Sequence, residues 1–145
     1  MHGGQQPALL VGSPMCTVFS QIQAIIAARR DPQVAARERV RAMVHFRFVC
    51  QLYQMQINAG RYFLHEHPAG ATSWKEECVE NVWRQPSVER IVNDQCQFGQ
   101  QYDDEPVMKP TGWMSNSLHS YSRSIEGVLA REGCAPLLAR LTAMH

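Results

Sequence analysis

A cysteine near the start of the chain has the sequence surroundings of a nucleophile. Cys16 follows the apolar residues 8–11, which predict a buried strand, and a short helix is predicted over residues 19–28. The thiol is therefore expected at the carboxyl end of a strand, the edge at which open α/β sheets bind ligands. A helix N-terminus nearby favours the reactive thiolate. The alternative is that Cys16 is a small residue packed where the strand turns into the helix.

Two imidazoles and a carboxylate alternate along a second predicted strand, residues 61–68. Because successive side chains of a strand point to opposite faces, His65 and His67 share one face and Glu66 lies on the other. A His-x-His pair can hold a catalytic metal if a third ligand joins it, which is the basis of a metal-dependent hydrolase hypothesis. In a second interpretation Glu66 hydrogen-bonds or protonates a bound heterocycle. In a third, the histidines are core residues with backbone partners.

Residues 109–113, Lys-Pro-Thr-Gly-Trp, combine a cation, a rigid turn and an aromatic ring. Such a motif can contact phosphate or cover a binding face. The same residues also suit an ordinary loop, with Lys109 in solvent and Trp113 in the core.

The sequence predicts that the helices and strands that position these residues form an α/β unit. Asp31 and Pro32 predict the start of a long helix that ends at Gly60. Its apolar residues at helical spacing predict the core-facing side; they are Val40, Val44, Phe48, Leu52 and Met55, widened by Met43 and Phe46. Strand, long helix and strand form a parallel crossover unit. A further helix is predicted through residue 83, with strands over residues 88–92 and within residues 107–116.

Composition indicates one globular domain. The 145 residues are 45% hydrophobic and 19% charged, with a formal net charge of +1, which gives no strong attraction to nucleic acid or anionic membranes. A membrane-spanning helix needs about 20 apolar residues, and no such run occurs. The five cysteines are widely spaced, which argues against a disulfide framework. We therefore expect an intracellular protein, cytoplasmic or nuclear, with no membrane contact.

Taken in order, these motifs resemble those of the DNA cytosine-5 methyltransferases, in particular the divergent phage and mobile-element type. Residues 12–20, GSPMCTVFS, resemble the family's Pro-Cys loop, and residues 63–70, FLHEHPAG, resemble its Glu-Asn-Val or Glu-Asn-Pro segment. Residues 94–99 and 109–113 are similar to a Cys-x-Tyr-Gly and Lys-Pro-Thr pairing. The resemblance implies the second half of a Rossmann-like class I methyltransferase domain, with a parallel sheet and flanking helices.

The resemblance also implies a mechanism. Cys16 adds to carbon 6 of a cytosine flipped out of DNA, Glu66 engages the ring, and carbon 5 receives a methyl group from S-adenosylmethionine. No metal takes part. The implied substrate-binding residues are Ser13, Pro14, Ser20, His67, Lys109 and Thr111. The chain departs from the family pattern at Met15, where proline is usual, and at His67, where asparagine is usual.

The cofactor-binding half is not recognisable. No glycine-rich turn precedes residue 8, and no acidic ribose-binding residue follows it. We therefore expect a partial catalytic domain over residues 8–117, between a lead-in of residues 1–7 and a helical tail of residues 118–145. By itself it is expected to be inactive, with DNA and a missing N-terminal half or larger polyprotein as partners. A non-catalytic interaction module is the remaining alternative.

Overall fold

A computed structural model describes residues 6–26, 29–94, 101–106 and 109–117. Its strands are β1 (Leu9–Gly12), β2 (Tyr62–Pro68), β3 (Glu89–Asp94), β4 (Gln101–Tyr102), β5 (Glu105–Pro106) and β6 (Pro110–Ser115). Its α-helices are α1 (Gln21–Ile26), α2 (Pro32–Asn58) and α3 (Glu77–Trp83), and short 3₁₀ helices cover Thr17–Phe19 and Thr72–Lys75. The predicted tail, residues 118–145, lies outside the described residues, as do residues 95–100.

The main sheet has four strands in the order β1-β2-β6-β3. Strands β1 and β2 are parallel, with Gly12 opposite His65, and β6 runs antiparallel to both β2 and β3. The predicted α/β class is confirmed, but the prediction of a parallel sheet is wrong at β6. A parallel connection needs a long crossover, usually a helix. Between β3 and β6 the described residues instead form the β4–β5 hairpin, and the chain returns antiparallel.

Helix α2 has the predicted ends. The Asp31 carboxylate accepts a hydrogen bond from the backbone N–H of Gln33 at 2.8 Å, and Pro32 occupies the first turn. Beyond the last turn, Gly60 has a φ of 65°, a left-handed conformation that glycine adopts without steric cost. These local signals fix both ends of α2, as the sequence predicted.

The buried side of α2 contains Phe46 of the predicted residues, and Met43 packs against the core, but the main predicted row lies elsewhere. Phe46, Cys50, Tyr53 and Gln56 face the sheet. The predicted core row is instead exposed at Val40, Val44, Phe48 and Met55. Both rows recur at helical spacing, so periodicity alone does not choose between them. The side that is buried carries the aromatic rings that reach the residues of β2.

The two shorter predicted helices are each broken. Ser20 has extended backbone angles and separates the first 3₁₀ helix from α1. Glu76 likewise separates the second 3₁₀ helix from α3. The second break leaves Trp74 buried, and its packing is described below.

Candidate functional site

The segments that carry the predicted site residues meet at one edge of the sheet. Because β1 and β2 are parallel and Gly12 pairs with His65, the segment after β1 leaves the sheet beside the end of β2. Strand β6 begins at the same edge, where Thr111 pairs with Pro68. The topology therefore brings the cysteine loop, the glutamate and the Lys-Pro-Thr motif to a single edge.

A hydrogen bond connects the cysteine loop to the glutamate. The Ser13 hydroxyl donates to Oε2 of Glu66 at 2.5 Å, a short distance of the kind formed by charge-assisted bonds. Ser13 is exposed and Glu66 is half-buried. A carboxyl group has two oxygens, so Oε1 of Glu66 remains for a second hydrogen-bond partner. The bond holds the loop and the carboxylate together at the sheet edge.

Cys16 is half-buried and lies directly before the 3₁₀ helix Thr17–Phe19, where its carbonyl accepts a hydrogen bond from the backbone N–H of Phe19 at 2.9 Å. A helix of three residues has a small dipole, so the helix effect on the thiol is weaker than the sequence indicated. The loop is anchored by Phe19, which is fully buried and packs on Phe46 with ring centroids 5.1 Å apart.

Two other loop residues have structural contacts. Pro14 is buried, whereas Met15 is 74% exposed. The Ser20 hydroxyl donates to the carbonyl of Thr17 at 3.1 Å and accepts from the backbone N–H of Gln23 at 3.4 Å. Pro14 and Ser20 therefore shape the loop. Their placement gives no support to a direct substrate contact.

Gly12 makes room for a core tyrosine. A Cβ atom at this position would collide with the Tyr53 hydroxyl. That hydroxyl forms a 2.8 Å hydrogen bond with Nδ1 of His65, and burial followed by the nearby Cys50 raises the pKa of Tyr53. The last residue of β1 thus has to be glycine so that α2 can approach the sheet.

The two histidines lie in the core, on the α2 side of the sheet. His65 and His67 are 1% and 0% exposed, and their rings stack at 5.6 Å. The rings around them belong to Phe19, Phe46, Tyr53 and Trp74. Burial lowers the pKa of His65 to about 3, with His67 and Arg90 lowering it further. Burial also lowers the pKa of His67 to about 4, partly offset by Glu66. Both imidazoles are therefore neutral at pH 7.

This placement separates the histidines from the sheet-edge site. His67 lies on the opposite face of β2 from Glu66 and is fully buried, so its predicted substrate contact has no support. Among the described residues no group of three His, Cys, Asp or Glu side chains is placed to hold a metal ion. The hydrolase hypothesis required a third ligand converging on the imidazoles, and the rings pack against aromatic side chains instead.

The Lys-Pro-Thr motif divides into a buried and an exposed part. Thr111 is fully buried, and its hydroxyl donates to the carbonyl of Lys109 at 3.3 Å. Lys109 itself is exposed at the edge where β6 begins. Lys109 is thus the cation of this motif that a bound anion can reach, whereas Thr111 shapes the backbone.

Two residues that the sequence did not single out hold the turn after Glu66. The indole N–H of Trp74 donates to the carbonyl of Pro68 at 2.8 Å, and a guanidinium N–H of Arg90 donates to the carbonyl of Ala69 at 3.1 Å. The Arg90 guanidinium lies 4.0 Å from the centre of the Trp74 ring. Trp74 fits because Gly112 on β6 has no side chain. We call Trp74 and Arg90 together the clamp. Nothing in the sequence around either residue indicates that it holds this turn.

The described residues do not fit S-adenosylmethionine. A dinucleotide-type cofactor site of a Rossmann-like fold has a glycine-rich turn after a strand and an acidic residue at the next strand end. At the end of β1 the space beside Gly12 is filled by Tyr53, and β2 ends in Pro68. No step of the chemistry is therefore assigned to this cofactor on the described residues.

No protein family model, curated protein or solved structure matches this chain. No helix within the described ranges has the length and apolar character needed to cross a bilayer. The geometry of the sheet edge is therefore the basis for a functional proposal.

Proposed function

We propose that this chain is the base-binding half of a DNA cytosine-5 methyltransferase, in which Cys16 is the nucleophile and Glu66 binds the cytosine ring. The observation that carries the proposal is the hydrogen bond from Ser13 to Glu66. This bond connects the loop that carries Cys16 to Glu66, and in the proposal both residues contact the same base. A flat heterocycle at this edge meets both groups only if the loop and the strand end are held together.

The arrangement of the sheet supports the same proposal. Strands β1, β2 and β3 share one direction, and the antiparallel strand β6 lies between β2 and β3. This resembles the second half of a class I methyltransferase sheet, in which an antiparallel strand is inserted beside the last parallel one. The missing cofactor half then continues the sheet beyond β1. Among the described residues β1 is an edge strand, the position that a further strand can pair with.

The chemistry assigned to this chain is activation of the base. The Cys16 sulfur forms a bond to carbon 6 of cytosine, and the electron pair of the C5–C6 double bond moves into the ring. A hydrogen bond from a protonated Glu66 to the ring nitrogen stabilises the added charge, and carbon 5 becomes nucleophilic. The methyl donor is held by a segment or chain outside the described residues. After transfer, a base outside the described residues takes the proton of carbon 5, the C5–C6 double bond re-forms, and the thiolate leaves.

A covalent trap tests the nucleophile without the methyl donor. The protein is incubated with an oligonucleotide carrying 2-pyrimidinone in place of the target cytosine. The thiol adds across its C5–C6 bond and forms a stable adduct. We expect the intact mass of the protein to rise by that of the oligonucleotide. Cys16→Ser abolishes the adduct, and Glu66→Gln slows its formation by about 10²-fold, the usual contribution of acid–base catalysis.

Cys78→Ser is the matched control, because Cys78 is also a half-buried thiol but lies on α3. This variant should form the adduct at the wild-type rate. An adduct that persists in Cys16→Ser would contradict the proposal, as would a wild-type protein that forms no adduct when mixed with the oligonucleotide at high concentration.

A further inference from the structure

Helix α2 carries a second apolar row on the side opposite the core, which we call the outer row. Val40, Val44, Phe48 and Met55 are 64%, 63%, 55% and 60% exposed, and Leu52 is half-buried between the last two. Their spacing of three or four residues puts them on one side of the helix. The row spans about 22 Å along the axis at 1.5 Å per residue.

The outer row is distinct from the packing that holds the fold together. The core side of α2 is formed by Phe46, Cys50, Tyr53 and Gln56. A helix that is apolar on two opposite sides is expected where it packs between two neighbours. None of the outer-row residues belongs to the core cluster or to the residues packed against it. Continuous exposed apolar rows of this kind mark sites of protein interaction.

Charge around the outer row has one sign. Arg37 and Arg41 lie on the same side of α2 at its N-terminal end, Arg47 lies beside the row, and all three are exposed. The only acidic residue of α2 is Glu38, which pairs with Arg30 at 2.7 Å. The partner that fits this surface therefore carries negative charge beside its apolar contacts.

We propose that the outer row docks an amphipathic helix of another protein, whose apolar face is flanked by Asp and Glu side chains. A second copy of this chain fits less well, because its outer row offers no acidic residue to face Arg37 and Arg41. A lipid surface also fits less well, because such surfaces are bound through a broad apolar face, whereas this row is narrow and two of its five residues are valine. The inference is independent of the proposed catalytic role, since it concerns the side of α2 that faces away from the sheet.

Two synthetic peptides test the inference with the full chain. Each is a helix of about 20 residues with the same leucine face, flanked by glutamate in one peptide and by lysine in the other. We expect the glutamate peptide to bind about ten-fold or more tightly than the lysine peptide by fluorescence anisotropy at low salt, and the difference to shrink in 0.5 M NaCl.

Three variants separate docking from folding. Val44→Asp with Phe48→Asp removes binding of the glutamate peptide, and because both residues are exposed the urea midpoint stays unchanged. Arg37→Glu with Arg41→Glu reverses the preference, so that the lysine peptide binds more tightly. Ile25→Asp is the control, since Ile25 is 79% exposed and lies outside the row. It should bind like the wild type.

Other outcomes overturn the inference. Equal affinity for the two peptides, or binding that survives Val44→Asp with Phe48→Asp, would show that the outer row does not choose an acidic helix. A dimer in sedimentation that the same pair of substitutions dissociates would assign the row to a second copy. Binding to vesicles of phosphatidylserine, but to neither peptide, would assign it to an anionic lipid surface.

Discussion

The buried histidine pair makes the fold sensitive to mild acid. In the folded chain the pKa values of His65 and His67 are lowered to about 3 and about 4, mainly by burial. In the unfolded chain an exposed histidine has a pKa of about 6.5. Below pH 6.5 the unfolded state therefore binds more protons than the folded state, and the free energy of unfolding falls as the pH falls. The full stability is present above pH 6.5 and is lost progressively down to the folded pKa values, about 4 for His67 and about 3 for His65.

The size of the effect follows from the two pKa differences. At pH 5 the pH is about 1.5 units below the unfolded histidine pKa of about 6.5, so each unfolded imidazole is protonated. At 1.36 kcal/mol per unit, this protonation favours unfolding by about 2 kcal/mol per histidine. The folded imidazoles remain neutral at this pH, so the pair together costs about 4 kcal/mol between pH 8 and pH 5. Domains have total stabilities of about 5–15 kcal/mol. The stability lost is thus a large share of the total free energy of unfolding. Most of this loss occurs at pH values above those at which carboxylates titrate.

Urea denaturation followed by tryptophan fluorescence at pH 8, 6 and 5 measures this loss. His67→Phe is the most informative variant, because neither ring nitrogen of His67 has a hydrogen-bond partner among the described residues. It should be as stable as the wild type at pH 8 and about 2 kcal/mol more stable at pH 5. His65→Phe also removes half of the pH dependence. It is destabilised at every pH, because the buried Tyr53 hydroxyl loses its partner.

His45→Gln serves as the control, since His45 is exposed on α2 and lies outside the buried pair. A wild-type protein equally stable at pH 8 and pH 5 would refute the reasoning. So would a double variant, His65→Phe with His67→Phe, that loses as much stability in acid as the wild type, because the protons that matter would then bind elsewhere.

Two further predictions concern packing. Phe46→Ala should lower the free energy of unfolding by about 3–5 kcal/mol. Phe48→Ala, two positions away on the exposed side of α2, should change it by no more than about 0.5 kcal/mol. Equal losses in urea denaturation would place the outer row in the core. Gly112→Ala sets a Cβ atom 2.5 Å from Cζ2 of Trp74 and should cost about 1–3 kcal/mol with a change in tryptophan emission. Gly60→Ala meets no atom within 4 Å and should cost stability through its positive φ without altering the emission.

The parts of the fold that local chemistry determines were predictable from the sequence. The ends of α2 follow from Asp31, Pro32 and Gly60, and the two parallel strands follow from apolar runs on either side of a long helix. The direction of β6 was not predictable in this way. It depends on how residues 95–109 return to the sheet, and the sequence of that segment shows no periodicity that distinguishes a crossover from a hairpin.

The buried side of α2 shows a different limit. Two rows with equal spacing compete, and the aromatic partners that select the row of Phe46 and Tyr53 come from β2. For the candidate site, alternation along β2 correctly put Glu66 opposite the histidines. The bond from Ser13 and the clamp of Trp74 and Arg90 join distant segments, and no spacing in the sequence encodes them.

The position of β6 within the sheet also determines the order in which the chain can fold. Residues 110–115 lie between β2 and β3, yet they are the last of the four main strands to be synthesised. Strands β1 and β2 can pair around α2 as soon as residue 65 is available, whereas β3 has no strand beside it until β6 arrives. During synthesis the inner edge of β2 therefore stays open for the time that about 50 residues take to emerge, a few seconds at 5–20 residues per second. In that interval the nascent chain presents an apolar strand edge that other chains can pair with.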